Sequence, residues 1–247
     1  SGCGDPIDKM NRSCADAGFS PRIFDDWRKM LDEIRPDVVC IDGPFEKHAE
    51  MCIEAFRRNI HIFCEKPVSL TIPDLERMEQ AAASSKSRIV SMVGLRYDPA
   101  FYTAWKHVRS DAVGKIKLIQ CQKSYRLGTR PAFFQTRSTY GGTLPWVGSH
   151  AIDWIIFFYG NDFHSVFGAQ SREDNFGNGE MEITAQCLFR MKSGVVASVS
   201  TDYLRPAAAP THGDDRIRIA GTAGVLEVSG GKITLINADG PSEIIPE

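Results

Sequence analysis

The sequence has 247 residues and contains no run of 18 or more apolar residues, so no segment is long enough to cross a bilayer as a helix. No charged-then-apolar signal segment opens it either. It lacks any C-x-x-C pair. Cys3, Cys14, Cys40, Cys52, Cys64, Cys121 and Cys187 are scattered, and an odd count without framework spacing argues against a disulfide scaffold and against zinc. Reduced thiols packed as small hydrophobes are expected instead, in a cytoplasmic protein with no metal site. An excess of one charge is missing too. Lysine and arginine number 29 and aspartate and glutamate 31, a formal charge of −2. That leaves little positive field for counterion-driven binding, so no nucleic-acid partner is expected, and no membrane partner. Internal repeats, low-complexity tracts and polar linkers are likewise absent.

What remains is an ordinary globular composition, 43% hydrophobic and 24% charged. The length predicts one large or two modest domains. Between residues 19 and 94 helix-period and strand-like pieces alternate. Asp25-Asp26 open a helix with Trp27, Met30, Leu31 and Ile34 at i, i+3, i+4, i+7, and Pro36 stops it. Val38-Val39-Cys40-Ile41 reads as a parallel strand covered by helices on both faces, and Gly43-Pro44 punctuates it. A second helix carries Ala49, Cys52, Ile53 and Phe56 on one stripe and ends at Asn59. Residues 60–64 form the next strand, broken by Glu65-Lys66-Pro67. A third helix follows Thr71, with Pro73 in its first turn and Leu75, Met78 and Ala82 facing inward. Residues 89–93 form another strand. Three such steps predict a Rossmann-type parallel layer.

After Pro99 the texture changes. Helices are predicted over 100–110 and from about Ser149 to Tyr159, the second ended by Gly160. Otherwise strands dominate. Met181, Ile183, Ala185, Cys187 and Phe189 alternate with more polar neighbours, and Val195, Ala197 and Val199 repeat the pattern after a turn at Lys192-Ser193-Gly194. A meander follows through Ile217/Ile219, 225–228 and 232–236. The reading is therefore α/β plus α+β: a parallel layer over residues 1–97 and, over 98–247, a domain with a large, mostly antiparallel sheet flanked by helices. The broad alternating sheet also predicts a homo-oligomer, dimer or tetramer.

These pieces resemble the Gfo/Idh/MocA family of NAD(P)-dependent sugar and polyol dehydrogenases, typified by glucose–fructose oxidoreductase and inositol dehydrogenase. The resemblance runs from about Asp5 to Val228. It rests on Gly43-Pro44 with His48 four residues on, Glu65-Lys66-Pro67 after a strand, and Arg96-Tyr97-Asp98-Pro99 at the join. Gly141-Gly142 leading to Gly148-Ser149-His150-Ala151-Ile152-Asp153, and Ile219-Ala220-Gly221-Thr222-Ala223-Gly224, complete it. The resemblance implies residues 1–97 as a dinucleotide-binding domain, incomplete at its N-terminus, and 98–247 as a substrate-binding and oligomerisation domain, with NAD or NADP as cofactor and a hydroxylated small molecule (polyol, sugar or derivative) as substrate. It implies Lys66 and His150 as catalytic residues, the lysine stabilising negative charge on the reacting oxygen and the histidine taking the hydroxyl proton. Asp5, Gly43, Pro44, His48, Glu65, Lys66, Pro67 and Arg96 fall on the cofactor side. Tyr97, Tyr125, Trp146, Asp153 and Tyr203 fall on the substrate side, with Arg126 beside Tyr125. Asp153, one turn after His150, can orient that ring or cap the first turn of its own helix, and the structural role is the one expected.

Two departures stand out. The family's G-x-G-x-x-G turn, which cradles a pyrophosphate at a helix N-terminus, has no counterpart here. Gly2-Cys3-Gly4 is preceded by nothing apolar, and Ile7 occupies the third glycine's place. Asp5-Pro6 matches instead the end of the family's second strand, so the first βα unit is expected to be missing from this sequence. The second departure is Trp146, where the family usually places an aspartate four residues before the histidine. An indole exchanges no proton at neutral pH. It points to a pocket for a different substrate, a histidine with a less elevated pKa, or a lost dehydrogenase activity; the alternative functions are an NAD-dependent glycosidase of the same fold and a non-catalytic dinucleotide or sugar sensor.

Overall fold

The computed structural model describes residues 7–247. Gly2-Cys3-Gly4 and the expected cofactor residue Asp5 lie outside the described residues. The chain divides between Met92 and Val93 into two compact units.

The first unit opens with helix α1 (Ile7–Asp16), which the sequence reading did not anticipate. Helix α2 (Trp27–Ile34) starts at Asp26, whose carboxylate accepts from the Arg28 N–H at 2.8 Å, and stops at left-handed Arg35 just before Pro36. Strand β1 (Val38–Ile41), helix α3 (Phe45–Arg57), strand β2 (His61–Cys64), helix α4 (Ile72–Ala83) and strand β3 (Ile89–Ser91) follow. The strands are parallel and lie in chain order, the one-way stepping of one half of a doubly wound sheet. Thr71 caps α4 by accepting from the Asp74 N–H, with Pro73 in the first turn. Leu31, Ile41, Cys52, Ile53, Phe56, Ile62, Cys64 and Met78 form the core.

Three expectations are corrected here. β1 is not buried on both faces: Val38 is 55% exposed and Cys40 is exposed too, because among the described residues the packed helices bury only the face carrying Val39 and Ile41. Ile34 and Leu75 are exposed, since each sits in a terminal helical turn where the apolar stripe has already rotated off the core. The strand expected over 89–93 stops at Ser91, and the chain winds into a 3-10 turn over Gly94–Tyr97.

The second unit is built on an eight-stranded sheet. Helix α5 (Pro99–Arg109) begins at Asp98, whose carboxylate accepts from the Ala100 and Phe101 N–H groups. Then come β4 (Ile116–Tyr125), a 3-10 turn at Ala132–Gln135, short helix α6 (Arg137–Tyr140), a π turn at Leu144–Gly148, and helix α7 (Ser149–Phe158). The remaining strands are β5 (Phe163–Ser171), β6 (Thr184–Met191), β7 (Val196–Asp202), β8 (Gly213–Gly221), β9 (Val225–Ser229), β10 (Lys232–Asn237) and β11 (Gly240–Ile244). Their spatial order is β11-β10-β9-β8-β4-β7-β6-β5. All neighbours are antiparallel except β4 and β7, which run parallel with Lys123 opposite Thr201. The strand expected from Met181 starts only at Thr184, although Met181, Glu182 and Ile183 are buried all the same.

Helices α5 and α7 cover one face. Trp154 stacks on Phe101 at 4.4 Å, over Ile119, Val199, Ile217 and Leu226. The other face carries Gln120, Gln122, Leu188 and Arg218. Gly221 ends β8 where a Cβ would stand 2.1 Å from the Val113 carbonyl oxygen, a backbone atom that cannot swing away. Gly221→Ala is therefore expected to cost about 1–3 kcal/mol, as overpacking does, and a urea melt measures it.

Candidate functional site

In the first unit, the carboxyl ends of β1 and β2 bring two loops together, where open parallel sheets hold ligands. One is Asp42-Gly43-Pro44 and the other Glu65-Lys66-Pro67. His48, in the first turns of α3 and fully buried, joins them: Nδ1 lies 2.9 Å from the Pro67 carbonyl oxygen and Nε2 3.0 Å from that of Gly43. Both partners are acceptors, so the ring nitrogen that carries hydrogen donates. The Glu65 N–H donates to the Ile41 carbonyl at 2.9 Å and the Lys66–Pro67 peptide is cis. Lys66 is only 6% exposed, with its ammonium 3.6 Å from the Glu65 carboxylate. The start of α3 has no side-chain cap, which leaves first-turn amides for a polar ligand group.

Burial pushes the Glu65 carboxyl above its usual range, and the neighbouring Lys66 only partly opposes this. The folded state thus holds this proton to higher pH than the unfolded chain does. The contribution is favourable below the ordinary carboxylate range and is lost as pH rises through the raised value. Glu65→Gln is accordingly expected to raise the melting temperature at pH 7 and to leave it unchanged near pH 4, as paired thermal scans would show.

In the second unit the groups gather where parallel β4 and β7 end. A Cβ on Gly148 would meet the Thr201 side chain at 3.6 Å, so the start of α7, with His150, lies over that end of the sheet. One turn beyond His150 is Trp154, whose ring centre is 5.2 Å from the Lys123 ammonium. Lys123 is itself buried, salt-bridged to Asp215 at 2.7 Å and 4.9 Å from the Tyr125 ring. Desolvation lowers its pKa, against the pull of Asp215. Tyr125 stacks on Tyr203 at 6.5 Å and on His212 at 5.2 Å.

A polar chain runs behind these rings. Thr143 Oγ1 donates to the Glu182 carbonyl at 2.7 Å, and the Thr143 N–H donates to the Glu182 carboxylate at 3.1 Å. The Tyr140 hydroxyl, 3.0 Å away, must then donate to Thr143 Oγ1, and Tyr203, 3.0 Å beyond, to Tyr140. The polarity leaves the Tyr203 oxygen as an acceptor. Burial pushes the Tyr140 phenol up to about 12 and that of Tyr203 higher still, so both keep their protons at any physiological pH. Arg137 pairs with the buried Glu182 carboxylate.

The expected substrate-side residues are thus only partly brought together. Tyr125 and Tyr203 adjoin, with Tyr203 buried. Trp146 is half-buried and reaches the group through Phe134, edge-on at 5.9 Å. The Asp153 carboxylate neither caps its helix nor meets the His150 ring. It takes a two-pronged grip from Arg96, with Nε donating at 2.7 Å, and so raises the guanidinium's pKa. Tyr97 is 80% exposed. Lys123, Tyr140, Thr143 and Glu182 escaped the sequence reading. Glu182 shares its alternation phase with Thr184, Gln186 and Arg190 and so reads as an outward residue; only a lysine at an inward strand position gave a signal. Among the described residues no group of three His, Cys, Asp or Glu side chains converges as a metal ion requires.

Comparison with known proteins places this geometry. The model of an oxidoreductase family with an NAD-binding Rossmann fold matches residues 5–95, and that of the GFO/IDH/MocA C-terminal domain matches 101–227. The oxidoreductase YrbE of Bacillus subtilis, itself uncharacterised, is 28% identical over 230 residues, 91% of this chain and 64% of that protein. A solved Thermotoga maritima structure, provisionally named an oxidoreductase, is 42% identical with a TM-score of 0.95, over 99% of this chain and 75% of that one. Levoglucosan dehydrogenase in complex with NADH and levoglucosan shares the fold at 22% identity and a TM-score of 0.84, covering 97% of this chain and 69% of that one. The chain thus spans just under two thirds of YrbE's length. With a matching model over each unit, it belongs to the Gfo/Idh/MocA family.

Proposed function

We propose that this chain is the greater part of an NAD(P)-dependent oxidoreductase that moves a hydride between a nicotinamide and a hydroxylated small molecule, a polyol, sugar or derivative. The observation that carries this reading is Lys66, a buried ammonium at the carboxyl end of a parallel strand. It is accompanied by His150 at the start of α7, over the strand ends of the second unit.

The residues present fit one side of a dinucleotide. Gly43 and Pro44 form a turn without polar side chains, the α3 amides are uncapped, and His48 lies between the Gly43 and Pro67 carbonyls and donates to one of them. When bound, the nicotinamide supplies the hydride acceptor or donor. Lys66 stabilises negative charge on the reacting oxygen and orients the bound ring. His150 accepts the hydroxyl proton, as a histidine does near neutrality. Arg96 and Asp153 brace each other, so Arg96 acts by position rather than by a free charge. Trp146 offers an apolar wall in place of a carboxylate, against which the C–H face of a sugar packs. Calorimetric titration with NADH and NADPH, followed by a turnover assay over neutral and acidic polyols and sugars, tests the reading. Failure of both dinucleotides to bind the intact protein would remove it.

The cytoplasmic location is proposed on the free thiols of the six described cysteines. The oligomer is proposed to form through the uncovered sheet face and the β5 edge, where Phe167 is 72% and Leu188 52% exposed. Light scattering at micromolar concentration should give a mass at least twice that of the chain, and a monomer would contradict it.

A further inference from the structure

Two arginines beside the aromatic cluster of the second unit are claimed by no acidic side chain. Arg126 follows directly on β4 and bridges to Leu204. Its Nη2 donates to the Ala209 carbonyl. Arg130 donates through Nη2 to the Arg126 carbonyl at 3.2 Å, and its guanidinium lies 4.6 Å over the Tyr203 ring and 5.4 Å over that of Phe134. The Nε of each is buried without a hydrogen-bond partner. Other cations at this end of the sheet are matched: Lys123 with Asp215, Arg137 with Glu182, Arg205 with Asp214. Among the described residues, Arg126 and Arg130 form no salt bridge. Asp202 accepts from Ser124 Oγ at 2.7 Å and from the Leu204 N–H at 2.9 Å, and among the described residues it forms no salt bridge.

An arginine half out of water with one carbonyl as its partner is poorly satisfied, since the guanidinium has five donors in a planar fork. That fork matches a carboxylate, which takes two parallel N–H bonds from it. The position also matters. Arg130 lies on Phe134, Phe134 meets Trp146 edge-on, and Trp146 precedes His150 by one helical turn. Arg130 therefore flanks the same aromatic wall to which the reading above assigns the sugar, and its contact with the Arg126 carbonyl sets Arg126 next to it in the chain fold.

We propose that Arg126 and Arg130 bind a carboxylate on the substrate, which makes that substrate a hydroxylated acid of the aldonate type rather than a neutral polyol. The proposal rests on the reading that a hydroxylated molecule binds at this end of the second unit. Gluconate and glucitol make a matched pair of probes, since they share a six-carbon hydroxylated chain and differ at one terminus, carboxylate against hydroxymethyl. Calorimetric titration of the intact protein should show gluconate binding at least tenfold more tightly. Arg130→Met keeps the aliphatic stem over Tyr203, and it should erase that preference by weakening gluconate binding at least tenfold, to the level of glucitol. Arg130→Lys, which keeps the charge but loses the fork, should recover only part of it. Circular dichroism melts of the three proteins verify that each is folded. Equal binding of both probes, binding of neither, or an Arg130→Met protein that still prefers gluconate would each overturn the proposal. Binding is read without turnover, so a failure of hydride transfer leaves this result standing, and a missing preference for gluconate leaves the oxidoreductase reading standing.

Discussion

Lys66→Ala is expected to lower turnover by on the order of a hundredfold or more while leaving dinucleotide affinity nearly unchanged. The reason lies in when the contact is strongest. As hydride leaves carbon, negative charge grows on the attached oxygen, and a fixed ammonium held out of water favours that state over the neutral alcohol. Lys66 is held in this way: it is 6% exposed, flanked by Glu65 at 3.6 Å, and placed on a turn pinned by His48. Loss of an interaction made in the transition state lowers kcat and kcat/KM together, whereas loss of ground-state binding would raise KM alone. Steady-state kinetics with separately titrated NADH tell these apart. A variant with unchanged kcat would place the lysine outside the chemistry.

The second large effect is on stability. Lys123→Met should cost about 3 kcal/mol, because it strands Asp215 against the sheet with one carboxylate oxygen already buried and unpartnered. Asp215 keeps some contact with water, which holds the loss toward the lower end for a broken buried pair. Removing both charges, as Lys123→Met with Asp215→Leu, should recover most of the loss, since the surroundings of Lys123 are the rings of Trp154 and Tyr125. Urea denaturation of the two variants measures both values. A double variant no more stable than the single one would show that the pair is not the source of the effect.

Much of the first unit was legible because its signals are local. The α3 stripe has the helical period, and Gly-Pro and Glu-Lys-Pro punctuate two strand ends, so the place of Lys66 on the sheet followed from neighbours in the chain. The same logic fails at element ends: Ile34 and Leu75 continue an apolar period past the point where the core covers it. β4 was harder to see. Its outward residues include Gln120, Gln122 and Ser124 and one inward residue is a lysine, a pattern that reads as a solvated segment until Asp215, from the antiparallel neighbour β8, neutralises it. The chain from Tyr203 through Tyr140 and Thr143 to Glu182 joins groups up to 63 residues apart in sequence, so no local periodicity encodes it. Asp153 shows the limit of helical spacing, which makes it a neighbour of His150, whereas tertiary structure hands it to Arg96.

The central claim is hydride transfer, and isotope transfer tests it most directly. The intact protein is to be incubated with NAD and gluconate or glucitol deuterated at its hydroxyl-bearing carbons, and the nicotinamide then analysed by mass spectrometry. Deuterium is expected at C4 of the reduced ring, at a rate that falls on the order of a hundredfold in Lys66→Ala. A protein that binds the dinucleotide but transfers no deuterium from either substrate, or transfers it equally well without Lys66, would contradict the account.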